Sequence, residues 1–368
     1  MALTSSRRAN LLAISWLALM AISSCTQKEG TLSKNKIAAV DSVVAAFQTR
    51  NKVPGMSVAI GTRSEITWEK AYGMADLEDQ TPAKTTTVYR LASISKSFTG
   101  VAVMQLVERG KIDLDAPVQK YVPSFPVKKF PITTRQVLGH LSGIHHYLGA
   151  DEFNIVDRKI SEGLELFMND SLHAEPGTKF IYSSYGYNLL GAIVEQASGE
   201  DFNEYVKNNI FSPAGMDNTL PDNPVQIIPN RSRFYDITNG KPLNAIYINT
   251  GYRTPAGGML STTGDLERFM FALWRGALVK PASLDSMTTP MKTRDGQSFG
   301  YGFGLIIGLD EKFPGVIWHG GVQPGCTTSM AMLPEKDISV VVLTNEGTMG
   351  SGEIVKITSD LLTVLTRK

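Results

Sequence analysis

The sequence predicts an α+β fold. A helix and a β-hairpin follow residue 36, helical and loop-rich segments fill the middle, and strands followed by a helix close the chain. Strands at both ends with a helical insertion between them suggest one antiparallel sheet assembled from the two ends of the chain.

The elements can be justified in order. Arg7 and Arg8 precede an apolar run, Leu11 to Ile22, that is too short for the roughly 20 residues of a membrane-crossing helix. A cleavable export signal over residues 1–24 is the expectation, because Ile22-Ser23-Ser24-Cys25 resembles a bacterial lipobox. Cys25 then becomes a lipidated N-terminus, residues 25–36 a polar tether, and the protein a periplasmic or cell-surface lipoprotein. Ile37, Ala38, Val40, Val43, Val44 and Phe47 recur at helical spacing up to Pro54-Gly55. Ser57–Ile60 and Ile66–Tyr72 read as a hairpin across the polar turn at 61–65. From Ser93 to Arg109 apolar residues run nearly all round a helix, the mark of a buried one. The middle, from about Pro131 to Gly257, carries helical segments such as Tyr187–Ala197 and few strand signals. Leu266–Leu273 is helical; Gly302–Gly308, Gly315–His319, Thr328–Leu333 and Ile338–Thr344 read as strands, and Ile354–Leu365 as a closing amphipathic helix.

Composition removes several classes of function. Thirty-six Lys and Arg balance 35 Asp and Glu in 368 residues, a net charge of +1, so nothing points to nucleic acid. A 42% hydrophobic content supports a sizeable core, and two cysteines cannot form a disulfide scaffold or a C-x-x-C metal pair. Chemistry without a cofactor or metal is expected from a monomer.

Two S-x-x-K sequences occur, about as many as chance allows. Ser33 to Lys36 falls in the expected tether, where nothing would tune a lysine. Ser93 to Lys96 opens the buried helix, with both side chains on one face. Burial lowers a lysine from its usual ~10.4 toward neutrality, which would make it a base for the serine. A capping serine with a surface lysine is the competing reading. Tyr182-Ser183-Ser184 and Trp318-His319-Gly320-Gly321 follow in the chain order of two further signature elements of serine β-lactamases and penicillin-binding proteins.

With Val88-Tyr89-Arg90-Leu91-Ala92-Ser93, Gly139-His140-Leu141-Ser142-Gly143-Ile144 and Pro255-Ala256-Gly257-Gly258, these motifs make the chain resemble the β-lactamase-related serine hydrolases. That group includes class C β-lactamases, D,D-carboxypeptidases, D-aminopeptidases and family VIII esterases. The resemblance implies a β-lactamase/transpeptidase-like fold: residues 37–92 and 265–368 forming an α/β domain, 93–264 a helical subdomain, and a catalytic cleft at their junction. It implies Ser93 as acylated nucleophile, Lys96 as its base, Tyr182 as proton shuttle, and the N–H groups of Ser93 and Val322 as oxyanion hole. Substrate contacts fall to Ser184, His319, Gly320 and Gly321. Ser184 stands where the family often has Asn, and His319 where penicillin-recognising members have Lys, so recognition of an amide carbonyl and of a carboxylate should weaken. A histidine titrating near ~6.5 would bind carboxylates better below that pH.

The remaining candidates are minor. His140, His145 and His146 lack accompanying metal-ligand spacing; His140 reads as buried, the other two as a loop near the cleft, and Cys326 as a packing residue. The function expected is an exported serine hydrolase cleaving ester, amide or peptide bonds. Alternatives are a D,D-carboxypeptidase or D-aminopeptidase acting on cell-wall peptides, and a non-catalytic membrane-anchored binding protein.

Overall fold

The computed structural model describes residues 32–148 and 155–367. The expected signal, Cys25 and most of the tether lie outside them. Among the described residues, no helix is long and apolar enough to cross a membrane.

Helix α1 (Lys34–Asn51) begins three residues inside the expected tether, because the Ser33 hydroxyl accepts the Lys36 N–H and caps it. The second S-x-x-K is therefore a helix start. Strands β1 (Gly55–Gly61), β2 (Ile66–Asp76) and β3 (Thr81–Pro82) follow. After helix α2 (Ser95–Glu108) and helix α3 (Ser184–Ser198) come α4 (Thr263–Trp274) and α5 (Pro281–Thr288). The chain closes with β4 (Ile306–Ile307), β5 (Ile317–Gln323), β6 (Cys326–Leu333), β7 (Ile338–Thr344) and α6 (Gly350–Thr366).

The seven strands form one antiparallel sheet in the order β3-β2-β1-β7-β6-β5-β4, so the two ends of the chain meet at its centre. Met56 pairs with Thr344 and Gly61 with Ser339. Both faces of β7 are buried. Val340 and Val342 pack with Val44, Phe47, Ile354 and Leu361 of α1 and α6, while Val341 and Leu343 face Leu266 and Phe269 of α4 and Phe98 of α2. A run of four apolar residues, Val340 to Leu343, suits such a two-sided strand.

Three expectations change. Of Gly302–Gly308 only Ile306 and Ile307 are strand, since Gly304 and Gly308 take left-handed φ values of 78° and 87°. A β-carbon on Gly304 would lie 2.5 Å from the Lys96 carbonyl, and that close approach lets Gly304 O accept from the Ser97 hydroxyl at 2.7 Å. The middle of the chain also holds a hairpin, Tyr235–Thr238 with Lys241–Asn244. Finally, a small sheet pairs Met259–Ser261 with both Tyr89–Arg90 and Leu220–Pro221, crossing the expected boundary at residues 92 and 93.

Candidate active site

Ser93 is the middle residue of a single 3-10 turn, Ala92–Ile94, that runs directly into α2. The turn is held from three sides. Ala92 has a left-handed φ of 47°, a costly conformation for a residue with a β-carbon. Ser95 Oγ donates to Ala92 O at 2.8 Å, and Thr328 Oγ1 of β6 donates to Leu91 O at 2.9 Å. Gly321 of β5 packs so closely that a β-carbon there would sit 2.2 Å from Leu91 O. Gly321 is thus explained by the passage of β5 beside the turn, whereas a β-carbon on Gly320 would meet the Trp318 ring at 2.9 Å.

Helix α2 is buried throughout residues 95–106, which places Lys96 in the core with its tip at Ser93. Lys96 Nζ is 3.0 Å from Ser93 Oγ, 3.0 Å from Ser184 Oγ and 2.7 Å from the Ala256 carbonyl. Burial, with no carboxylate among the described residues to offset it, lowers the lysine well below its ordinary range. A neutral amine has two N–H bonds and one lone pair. Ala256 O can only accept, so it takes one Lys96 N–H; at 3.0 Å from both hydroxyls, Nζ is placed to donate to Ser93 and Ser184 and, once deprotonated, to accept a serine proton. The capping role for Ser93 is overturned, since no side chain caps this helix start.

Helix α3 supplies the next pair. Ser183 caps it by accepting the Gly186 N–H at 2.9 Å, which sets Tyr182 and Ser184 on either side of the cap. Two histidines steady this start: Ser183 N–H donates to His140 Nδ1 at 3.0 Å and Ser184 N–H to His146 Nδ1 at 3.1 Å. The His140 carbonyl accepts the Ile181 N–H, so His140 grips the chain on both sides of Tyr182, with ring centroids 4.4 Å apart. Lys96 Nζ sits 4.8 Å from the centre of the Tyr182 ring. Burial raises the Tyr182 hydroxyl, partly offset by a hydrogen bond to Ser93, and so keeps it protonated.

His319 departs from expectation. Its ring is buried, with Nδ1 2.7 Å from the Gly320 carbonyl and Nε2 3.0 Å from the Tyr301 hydroxyl. The carbonyl can only accept, so Nδ1 carries the proton and Nε2 accepts from Tyr301. Burial pushes its pKa down to about 3. It is a neutral group over the whole range in which a carboxylate would be drawn to an imidazolium, so the expected titration near 6.5 does not occur.

Ala92, Ser93, His146, Ser184, Arg253 and Val322 line a cleft of ≈ 440 Å³, along with Tyr147, Ala256, Gly257 and Gln323–Pro324. Val322, 41% exposed, stands at its rim. Arg253 and Tyr301 carried no motif that sequence reasoning could use. The Arg253 guanidinium lies 4.3 Å above the Tyr147 ring and its Nε donates to Tyr252 at 2.9 Å. His145 turns away, bonded to Asp170 at 2.9 Å and stacked on His173. Cys326 is buried, and burial raises its thiol to about 12, so it is chemically quiet. Among the described residues no group of three or more His, Cys, Asp or Glu could hold a metal ion.

Comparison with known proteins gives this arrangement a context. The chain is 31% identical over 380 residues to the human mitochondrial serine beta-lactamase-like protein LACTB, covering 77% of this chain and 69% of that protein. It is 29% identical over 301 residues to penicillin-binding protein 4* of Bacillus subtilis, covering 77% of this chain and 66% of the relative. Its structure superposes on the octameric penicillin-binding protein homologue from Pyrococcus abyssi with a TM-score of 0.78 at 29% identity, over 89% of this chain and 77% of that one. A D-stereospecific amidohydrolase from Streptomyces follows at TM-score 0.74 and 26% identity, over 87% and 97% of the two chains. The fold is β-lactamase/transpeptidase-like. The profile of the beta-lactamase family matches residues 40–364, from within the first helix to within the last. Sheet, cleft and serine–lysine pair all fall inside that match, and the chain belongs to the beta-lactamase family of serine β-lactamase-like hydrolases.

Proposed function

We propose that this protein is a serine hydrolase that works through an acyl-enzyme on Ser93. The observation that carries the reading is the 3.0 Å contact between Ser93 Oγ and the amine of Lys96, which burial holds well below its ordinary pKa. In acylation the Ser93 proton passes to Lys96 as Oγ bonds to the substrate carbonyl carbon. The oxygen that gains the negative charge is held by the backbone N–H groups of Ser93 and Val322. When the tetrahedral species collapses, the bond to the leaving oxygen or nitrogen breaks and Tyr182, held protonated by burial, supplies a proton to the departing group. Water then attacks the ester on Ser93 and gives its proton to the deprotonated Tyr182; as the acid is released the bond from its carbonyl carbon to Oγ breaks, and Oγ recovers its proton from Lys96.

Esters, amides and peptides that do not depend on a carboxylate are the favoured substrates, because the neutral His319 replaces a fixed cation. The structural neighbour named as a D-stereospecific amidohydrolase makes D-amino acid amides the first amides to try. Export and lipid attachment at Cys25 would put this activity at a bacterial membrane; mass analysis of membrane-extracted protein tests that separately.

The test is intact mass of the full chain after a fluorophosphonate, for wild type, Ser93→Ala and Lys96→Ala. One adduct on wild type, absent from Ser93→Ala and slow in Lys96→Ala, is expected. No adduct on folded wild-type protein would overturn the reading.

A further inference from the structure

The cleft holds a second imidazole that the acyl-transfer steps do not use. His146 lines it beside Ser93 and Ser184, with its ring partly exposed, stacked on Tyr147 at 4.9 Å and edge-on to Tyr182 at 5.6 Å. Its Nδ1 receives the Ser184 N–H at 3.1 Å. A backbone amide can only donate, so Nδ1 has no proton and the ring's hydrogen is on Nε2. No group among the described residues bonds Nε2. His140 uses Nδ1 in the same way one residue earlier, but its Nε2 is enclosed, whereas His146 reaches the open cleft.

Protonation does not disturb this assignment. Desolvation of the ring, with the Arg253 guanidinium nearby, depresses His146 to about 4. The imidazole is therefore a neutral N–H donor at working pH, fixed by the amide that also begins the helix carrying Ser184. Ser184 Oγ accepts from Lys96, and its short hydroxyl lies deep beside the amine. The loop at residues 139–147 adds a longer donor to the cleft in the His146 ring.

Resting on the acyl-transfer reading, we infer that His146 is a specificity-determining residue whose Nε2–H binds a carbonyl oxygen on the acyl side of the substrate, so that the preferred substrates are N-acylated amino acid esters, amides or peptides. A lone carbonyl oxygen suits one neutral donor; a carboxylate would demand a charge that this ring does not carry.

The experiment compares two esters that differ in one group: methyl N-acetylphenylalaninate and methyl 3-phenylpropanoate. For wild type, His146→Asn and His146→Gln in the full chain, kcat/KM is measured for both. Asn can still accept the Ser184 N–H but cannot reach as far as Nε2; Gln restores a reaching donor. The preference for the acetamido ester is expected to fall at least tenfold in His146→Asn, mainly through KM, and to recover in part in His146→Gln. A preference unchanged within twofold overturns the inference, and so does an equal loss on both esters, which would mark a role in holding α3. A second measurement needs no turnover. In the Ser93→Ala background, calorimetric binding of N-acetylphenylalanine amide should weaken at least fivefold on His146→Asn; equal binding overturns the inference. Failure of Ser93 to take up fluorophosphonate would remove acyl transfer and leave this binding comparison intact.

Discussion

Ser93 Oγ and Lys96 Nζ lie 3.0 Å apart in a shell of oxygens, those of Ser184 and the Ala256 carbonyl, and no carboxylate among the described residues neutralises the amine. An ammonium there has lost its water and gained no counter-ion, so the neutral amine is favoured. The base is active only when deprotonated. The fluorophosphonate rate should therefore be flat above the depressed lysine pKa, itself well below ~10.4, and fall as pH drops through it. Lys96→Ala should lose about 10²–10⁴-fold and show no such fall. Stopped-time mass spectrometry across pH checks both.

His319 makes the opposite point about titration. Because its pKa lies near 3, KM for a substrate bearing a carboxylate should show no inflection between about pH 5.5 and about pH 8. His319→Lys would place a cation beside Tyr301 and lower KM for that substrate at neutral pH. Steady-state kinetics with a matched ester, with and without the carboxylate, decides this.

The cleft wall rests on a buried ion pair. Arg90 Nε bonds Asp222 at 2.6 Å, and Arg90 also donates to the Pro324 carbonyl at 3.1 Å at the cleft edge. Asp222→Ala leaves a buried guanidinium unpaired and should cost about 3–5 kcal/mol. Arg90→Met with Asp222→Leu should recover much of that. Urea midpoints for the three variants measure it.

Glu267 is buried under the sheet. Ser339 Oγ donates to its Oε2 at 2.5 Å, while Oε1 has no partner. Burial raises its pKa to about 8, the nearby Glu69 adding to the shift. In the unfolded chain it ionises near ~4.3. Between those values the folded state holds a proton that the unfolded state has released, so stability falls as pH rises from about 4.5 to about 8 and then levels. Glu267→Gln should remove that slope and raise Tm by ~3 °C or more at pH 8, with little change at pH 5. Calorimetry at the two pH values provides the test.

Much of this could be read in the sequence where one local rule acts alone. Helix α2 declared itself by apolar residues on every face, and Ser93 and Lys96 three apart had to share a side. The hairpin Tyr235–Asn244 was hidden because its second strand, Lys241–Asn244, is exposed along its length and carries no alternating pattern. Gly302–Gly308 looked like a strand only because apolar residues outnumber glycines there; backbone contact with α2 decides its course. His319 was misjudged because residue type suggests a pKa, whereas burial sets it. His146 was placed in a loop near the cleft without a role, and Arg253 escaped notice, for a related reason: cleft residues are brought in by loops, and the hint at His146 was a Gly-Ile-His-His-Tyr run next to a recognisable segment.

The pairing of β1 with β7 bears on how the protein comes into being. A nascent chain that has made Ser93 and Lys96 still lacks β5 and β6, whose Gly321 and Thr328 brace the nucleophile's turn, and β7, without which β1 has one open edge. Contacts so distant in sequence close slowly. Until they close, Lys96 is hydrated and cationic and Ser93 is an ordinary alcohol, so reactivity arrives with the last strands of the chain and incomplete polypeptides stay chemically inert.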